Sequence, residues 1–269
     1  MTLKRHADAA CPINWNPKPP PGYVQFPDAP RKEEMTSPKY LLYPGKARAL
    51  SHWLDNFETT LITFDLFLSP APFADLREME GRHDVFYPDM MIAFGVDPQV
   101  VANRNGYAIS DHDKPPDLIM EVASGSTFLN DATRKREGYA ALGVREYWRF
   151  NSGVGPRDLP RLSGDRLVGG QYEPLPIEER APGHYWGYSE TLRLYVCWEG
   201  AGEDVRLEWY DPAEGVYLPG YDTVLEARDA ADAARLAAEA QRDAEHSSRL
   251  AAEARIRQLE AENRRLRNQ

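Results

Sequence analysis

The chain has 269 residues, of which 42% are hydrophobic and 28% are charged, and its formal net charge is −10. This length suits one large domain or one domain with appendages. The negative charge argues against a protein that coats nucleic acid through clustered lysines and arginines, although a carboxylate site changes sign locally once it binds a divalent cation. Cys11 and Cys197 are too few for a disulfide framework or a four-cysteine zinc site. Because the sequence has neither an apolar run long enough for a membrane span nor the apolar segment of a secretory signal, we expect a cytoplasmic protein without a membrane partner.

The N-terminal region is rich in proline and then becomes periodic. Prolines throughout residues 1–40 predict an extended or irregular arm that lies on the domain or, alternatively, binds a partner. Residues 45–57 predict a helix, because their apolar side chains share one face: Ala49, Leu50, Trp53, Leu54 and Phe57. The β-branched and aromatic residues in 59–68 and 87–96 predict two strands.

The middle of the chain changes from strand to helix and back to strand. Residues 116–124 predict a strand. The segment that follows predicts a helix that is capped by Ser126 or Thr127 and stops at Gly143, and residues 145–150 predict the next strand. The order strand, helix, strand is typical of a mixed α/β sheet.

The last hundred residues contain two different patterns. Short β-like segments with turn signals between them predict hairpins in residues 160–220. Alanine, glutamate, arginine and leucine then dominate, without glycine or proline, and predict a long helix over 222–269. Near its end four residues follow coiled-coil a and d spacing: Ile256, Leu259, Asn263 and Leu266. This pattern favours a homodimer through the C-terminal helix, and a lone charged helix is the alternative. The predicted organisation is therefore an arm (1–40), an α/β domain with C-terminal hairpins (41–221) and a helical coiled-coil tail.

Acidic side chains inside apolar strands are the first candidates for chemistry. A buried carboxylate is costly unless it is paired, hydrogen-bonded or bound to a metal, and both Asp89 and Glu121 lie among apolar residues. Because strands of one sheet lie about 5 Å apart, the two acids could hold one Mg²⁺ or Mn²⁺ between them. Asp117 shares a face with Glu121 but lies about 13 Å away along the strand, which favours a strand-entry or turn role for this residue.

Lys135 is the third candidate, on the helix that follows Glu121. Asp131, Lys135 and Tyr139 are spaced four residues apart and lie along one helix face. A lysine that reaches the carboxylates could orient or deprotonate the attacking water or stabilise the phosphoryl charge. A plain ion pair between Lys135 and Asp131 is an equally good interpretation of the spacing alone.

Other catalytic classes find less support in the sequence. The six histidines are not paired at metal-ligand spacing, and no phosphate-binding glycine motif occurs. Two carboxylates could also serve glycoside hydrolysis, but we identify no sugar-stacking segment to accompany them.

Five short motifs follow one another along the middle of the chain: Pro88-Asp89, Pro116-Asp117, Glu121-Val122-Ala123-Ser124, Lys135 with Tyr139, and Gly143-Val144-Arg145-Glu146-Tyr147. In this order they resemble the Uma-two restriction endonuclease family, which belongs to the PD-(D/E)XK nuclease superfamily. The resemblance covers about residues 40–269.

The resemblance implies a restriction-endonuclease-like mixed β-sheet core flanked by helices, and a Mg²⁺- or Mn²⁺-dependent endonuclease that acts on DNA. It implies that Asp89 and Glu121 are metal ligands, with the Val122 carbonyl as a third. The superfamily lysine normally stands two residues after the glutamate, where this chain has Ala123, so the resemblance implies that Lys135 takes its role. The alternative is a catalytically inactive nuclease-fold interaction protein that assembles through its coiled-coil tail.

Overall fold

The computed structural model describes residues 23–28, 49–51, 53–54, 56, 58–123, 131–151, 160–200 and 206–267. The chain divides into two compact units, one that ends at Leu218 and one that begins at Pro219. The first unit is a mixed α/β structure, and the second contains a long helix, which confirms the predicted fold class.

The strands and helices of the described residues are numbered in chain order. The strands are β1 (Thr60–Phe64), β2 (Phe67–Ser69), β3 (Met90–Phe94), β4 (Gly106–Ala108), β5 (Leu118–Ala123), β6 (Glu146–Asn151), β7 (Leu162–Val168), β8 (Gln171–Pro174), β9 (Ile177–Ala181), β10 (His184–Ser189), β11 (Leu194–Glu199), β12 (Arg206–Asp211) and β13 (Val216–Tyr217). The helices are α1 (Pro98–Arg104), α2 (Ile109–His112), α3 (Arg136–Leu142), which follows a π-helical turn at Asp131–Lys135, and α4 (Tyr221–Arg267). A 3₁₀ turn covers Leu76–Met79, and residues 49–51 and 53–54 are helical.

The central sheet has six strands in the order β1-β3-β5-β6-β7-β8. Its one parallel pair within the described residues is β5 with β6, and the π turn and α3 form the described part of the connection between them. This arrangement is the βαβ unit that the strand, helix, strand pattern predicts.

The predicted strand over 59–68 is wrong in one respect, because the structure contains two strands there. Asp65 has a positive φ of 47°, which interrupts the extended backbone after β1. The chain then leaves the central sheet, and β2 pairs with β4 in a separate two-stranded sheet. Residues 97–115, for which no elements were predicted, contain α1, β4 and α2.

The C-terminal strands form a second sheet in the order β13-β12-β11-β10-β9. They were predicted as appended hairpins, but their inner face shares one hydrophobic core with the central sheet. Trp148 of β6 is fully buried in this core. A Cβ atom at Gly164 or Gly187 would lie 2.7 or 2.8 Å from its ring, so these glycines leave the space that the indole fills.

The two faces of the central sheet therefore have different partners. Side chains alternate along a strand, so Met120 and Val122 point into the core shared with the second sheet, whereas Ile119 and Glu121 point to the opposite face. On that opposite face Tyr139 of α3 packs in the second hydrophobic cluster. The candidate residue Glu121 is thus placed beneath α3.

Parts of the predicted N-terminal segments fall within the described residues. Ala49 and Leu50 are buried in the core of the two sheets, as the helical pattern predicts, whereas Phe57 lies outside the described residues. In the described part of the proline-rich arm, Phe26 is buried, and its backbone N–H donates to the Arg104 carbonyl at 2.8 Å. Residues 23–28 therefore lie against the domain.

The helix α4 runs for 47 residues, in agreement with the predicted helical tail. Among the side chains of α4 that the structure describes, the large apolar residues Leu236, Leu250 and Ile256 are at least half exposed. Across the described residues, no helix combines the length and apolar character that a membrane crossing requires.

Candidate metal-binding active site

Asp89 and Glu121 are brought together by the pairing of β3 with β5. The antiparallel register sets Met90 opposite Met120 and Met91 opposite Ile119, and its extension by one residue sets Asp89 opposite Glu121. Directly opposed residues of an antiparallel pair point to the same face, with Cβ atoms about 5 Å apart. The two predicted acids are therefore lateral neighbours.

Both carboxylates are buried and hydrogen-bonded. Asp89 is 3% exposed and Glu121 is 1% exposed. The backbone N–H of Val122 donates to Asp89 Oδ2 at 2.7 Å, which ties the first acid to the strand of the second. The hydroxyl of Tyr139 donates to Glu121 Oε1 at 2.7 Å.

Lys135 reaches the same carboxylate, as the functional interpretation of its spacing requires. Its Nζ lies 2.9 Å from Glu121 Oε1, and its side chain is 19% exposed. The side chain of Asp131, the competing partner, lies outside the described part of the structure. Lys135 at the end of the π turn and Tyr139 on α3 are four residues apart and converge on one oxygen, so this helical segment holds Glu121 from two positions.

Two glycines let α3 lie close to the sheet. A Cβ atom at Gly138 would lie 2.1 Å from the Phe86 ring, so only glycine allows the helix to approach the segment before Asp89 this closely. Gly143 has a φ of 86° and ends α3 in the left-handed conformation, as predicted. The π turn before α3 was not predicted; such turns are frequent at functional sites, and this one ends at Lys135. The predicted caps Ser126 and Thr127 lie outside the described residues.

Burial and charge keep the Tyr139 hydroxyl protonated. Burial raises the pKa of Tyr139 well above its ordinary value, and the negative charge of Glu121 raises it further. The neutral phenol is therefore the stable form at physiological pH, and its hydroxyl donates a hydrogen bond to Glu121. The same pKa is raised by the charge of Asp89, in keeping with the proximity of both acids to this ring.

Asp117 has the strand-entry role that the sequence analysis favoured. It accepts hydrogen bonds from the Phe94 backbone N–H at 2.8 Å and from Lys114 Nζ at 2.6 Å. These contacts tie the end of β3 to the start of β5. Asp117 therefore stabilises the pairing of the strands that carry Asp89 and Glu121.

The donor chemistry of the site fits a hard divalent cation. Within the described ranges, no group of three or more histidine, cysteine, aspartate or glutamate side chains could hold a metal ion. Asp89, Glu121 and the Val122 carbonyl supply oxygen ligands, and Mg²⁺ is commonly bound through one or two carboxylates with water in its other positions.

Three charged residues near the site were missed by the sequence analysis. Asp165 of β7 is 2% exposed. Its carboxylate accepts from Arg136 at 2.9 Å and from Arg149 at 2.5 Å. Arg149 pairs with Glu121 in the parallel register of β5 and β6. Arg149 could have been found from the sequence, because it is a charged residue between Trp148 and Phe150 in a predicted strand. The same pattern, a charge among apolar strand residues, identified Glu121.

Comparison with known proteins gives one family match. A family described as "Uma2: Putative restriction endonuclease" matches residues 48–193, which is more than half of the chain. The matched range contains Asp89, Glu121 and Lys135. No curated protein matches the chain.

Proposed function

The chain belongs to the Uma2 family, which is described as restriction endonucleases, and on this premise we propose that it is a metal-dependent endonuclease that hydrolyses phosphodiester bonds in DNA. The observation that carries the proposal is the meeting of Asp89, Glu121 and Lys135 on one face of the central sheet. Two buried acids, one of them in contact with a lysine, are unusual in a hydrophobic core and are more typical of a functional site.

Asp89, Glu121 and the Val122 carbonyl would hold Mg²⁺ or Mn²⁺. When bound, the ion supplies a water of lowered pKa and neutralises part of the phosphate charge. The carboxylates are fixed before any substrate arrives, because Val122 N–H holds Asp89 and Tyr139 holds Glu121. Preorganised ligands of this kind avoid the cost of rearrangement during the reaction.

Lys135 would act on the phosphoryl group as a cation. Its ammonium lies at the surface end of a buried ion pair, with 19% of the side chain exposed, so a substrate can approach it. In this position it can stabilise the negative charge that develops on the phosphate oxygens during hydrolysis. The cation–carboxylate contact favours this electrostatic role over that of a general base.

The tail would join two copies of the chain and so provide two active sites for two DNA strands. Ile256, at an a position of the predicted heptads, is 56% exposed on α4 and could pack against its counterpart in a parallel helix. Leu236 and Leu250 fall outside this a and d register, which limits the seam to the end of the helix. Sedimentation of the full chain tests the dimer: Ile256→Asp should yield monomers, and an unchanged mass would contradict the assignment.

Plasmid nicking tests the proposed activity. Wild-type protein should convert supercoiled DNA to open-circular and linear forms with Mg²⁺ or Mn²⁺ and should be inactive with EDTA. Glu121→Ala should be inactive and Lys135→Ala should nick about 100-fold more slowly than the wild type, whereas Lys114→Ala, which removes the comparable ion pair at the other end of β5, should remain active.

The result also separates the enzyme from the interaction protein. Folded wild-type protein that neither nicks DNA nor binds Mn²⁺ in calorimetry would contradict the endonuclease proposal. A dimeric protein with that behaviour would instead support a nuclease fold used for assembly.

A further inference from the structure

Three polar side chains form a row across the central sheet. Asp89 immediately before β3, Glu121 on β5 and Arg149 on β6 occupy one level, because Glu121 is paired with Arg149 and the β3–β5 register, extended by one residue, places Asp89 opposite Glu121. Paired residues of adjacent strands point to the same face. Arg149 is therefore the lateral neighbour of Glu121 on the side away from Asp89.

Arg149 is held in place by other residues but, as far as the structure describes the chain, not all of its hydrogen-bond donors have partners. Its guanidinium donates to Asp165 Oδ2 at 2.5 Å through one terminal nitrogen and lies 5.1 Å from the centre of the Tyr147 ring. Its Nε–H is buried without a hydrogen-bond partner in the part of the chain that the structure describes. A buried donor without a partner is costly, and such groups often mark the place of a water or a ligand. The side chain is 14% exposed, so solvent reaches it.

The charges around Asp165 favour an anion. One carboxylate pairs with two arginines, because Arg136 donates to Asp165 Oδ1 at 2.9 Å while Arg149 binds the other oxygen. The group of three therefore carries one surplus positive charge beside Glu121. Arg136 also donates to the Tyr172 carbonyl at 2.6 Å, so its NH2 group is used by the protein. Arg149 uses one terminal nitrogen for Asp165, and its buried Nε–H has no partner among the described residues, so this arginine retains donors beside Glu121.

We propose that Arg149 binds a phosphate oxygen of the nucleic-acid backbone, and that Asp165 orients its guanidinium toward that phosphate. The inference rests on the proposed endonuclease function, because it states that the DNA phosphate binds next to Asp89 and Glu121, through Arg149. A planar guanidinium is suited to phosphate because two parallel N–H groups can bind two oxygens. The carboxylates would face the metal, and Arg149 would face the phosphate beside it.

A purely structural role makes a different prediction. If Arg149 only neutralised Asp165, its loss would lower stability and leave DNA affinity per folded molecule unchanged, because Arg136 still pairs with the carboxylate. The matched control is Arg166 of β7, which lies on the opposite face of the same sheet and pairs with Glu190. Substitution of either arginine by methionine removes one charge from the domain.

Fluorescence anisotropy with a labelled DNA duplex in Ca²⁺ provides the test, since binding can be measured under conditions that do not require cleavage. Arg149→Met should weaken binding about tenfold and should lower the slope of log affinity against log salt concentration by about one. Arg166→Met should bind as the wild type does. Arg149→Lys retains a point charge, and its affinity should fall between those of the wild type and Arg149→Met.

Each outcome bears on one proposal. Equal affinities and salt slopes for Arg149→Met and Arg166→Met overturn the assignment, as does wild-type protein that binds no DNA. If Arg149→Met does not fold, Arg149→Lys decides, and wild-type affinity and salt slope in that variant overturn it. Wild-type protein that binds DNA through Arg149 but cleaves none in Mg²⁺ or Mn²⁺ supports the phosphate site and contradicts the endonuclease function instead.

Discussion

The two ends of strand β5 carry similar pairs of residues in different surroundings. At the start of the strand, Asp117 binds Lys114 at 2.6 Å, and toward its end Glu121 binds Lys135 at 2.9 Å. Both carboxylates are buried. A lysine–carboxylate pair therefore does not by itself distinguish a structural site from a reactive one.

The neighbours of each pair make the distinction. Asp117 accepts from the Phe94 backbone N–H, so its charge is used to join two strands. Glu121 accepts from a tyrosine hydroxyl and has a second carboxylate, Asp89, opposite it across β3 and β5. Two buried carboxylates repel each other, and a cation held between them, as the proposed function requires, would offset that repulsion.

The largest expected difference between the two ends is in the rate of cleavage. If the proposed function holds, Lys135→Met should lower kcat about 100-fold, because it removes the ammonium that we propose stabilises the phosphoryl charge. Lys114→Met should leave the rate per folded molecule unchanged. Single-turnover cleavage of a labelled duplex measures both. Equal rates for the two variants would show that Lys135 is structural.

At the start of the strand, a substitution is expected to lower stability and to leave the cleavage rate unchanged. Asp117→Asn removes the charge that the partly buried Phe94 N–H and the Lys114 ammonium contact, and it should lower the free energy of unfolding by about 2 kcal/mol. Urea unfolding followed by tryptophan fluorescence measures this loss, and the remaining folded enzyme should cleave at the wild-type rate. A variant as stable as the wild type would contradict the structural role of Asp117.

Two buried tyrosines, one near each end of β5, extend the comparison, with smaller expected effects on stability and on kcat. Tyr139 donates to Glu121, whereas Tyr107 donates to the Lys114 carbonyl at 3.0 Å. Replacing either by phenylalanine should lower the free energy of unfolding by about 1 kcal/mol. Tyr139→Phe should also lower kcat about tenfold, since Glu121 loses the group that orients it. A reduced kcat in Tyr107→Phe as well would show that the rate follows general stability rather than the site.

The smallest effect is a pH dependence at the structural end. Burial lowers the pKa of His112, whose ring lies 4.6 Å from that of Tyr107. In the unfolded chain this histidine takes up a proton near pH 6.5, whereas in the folded protein it stays neutral there. The unfolded state then binds more protons, so stability is full above this pH and decreases as the pH falls below it. His112→Gln should reduce the change in unfolding free energy between about pH 5 and pH 7, the range around the ordinary histidine pKa. An unchanged pH dependence in this variant would show that other groups cause it.

Local sequence patterns were sufficient to predict the strands and the helix that carry the candidate site. The strands at β3, β5 and β6, the helix end at Gly143 and the long C-terminal helix were predicted, because alternation, helical periodicity and glycine act over a few residues. The division of 59–68 into β1 and β2 was not predicted, since it depends on the backbone conformation of Asp65. The joining of the second sheet to the central core was also missed, because Trp148 and the two glycines that accommodate it lie far apart in sequence.

The sequence by itself determined which acids are anomalous, because a charge inside an apolar strand is unfavourable in any fold without a partner. It also limited Lys135 to one helix face, but it left Glu121 and Asp131 as equal partners for that lysine. The tertiary structure decided that the lysine contacts Glu121 and that Arg149 stands beside the same carboxylate. Strand register and helix docking make these choices, and both are set by packing between residues that are distant in the chain.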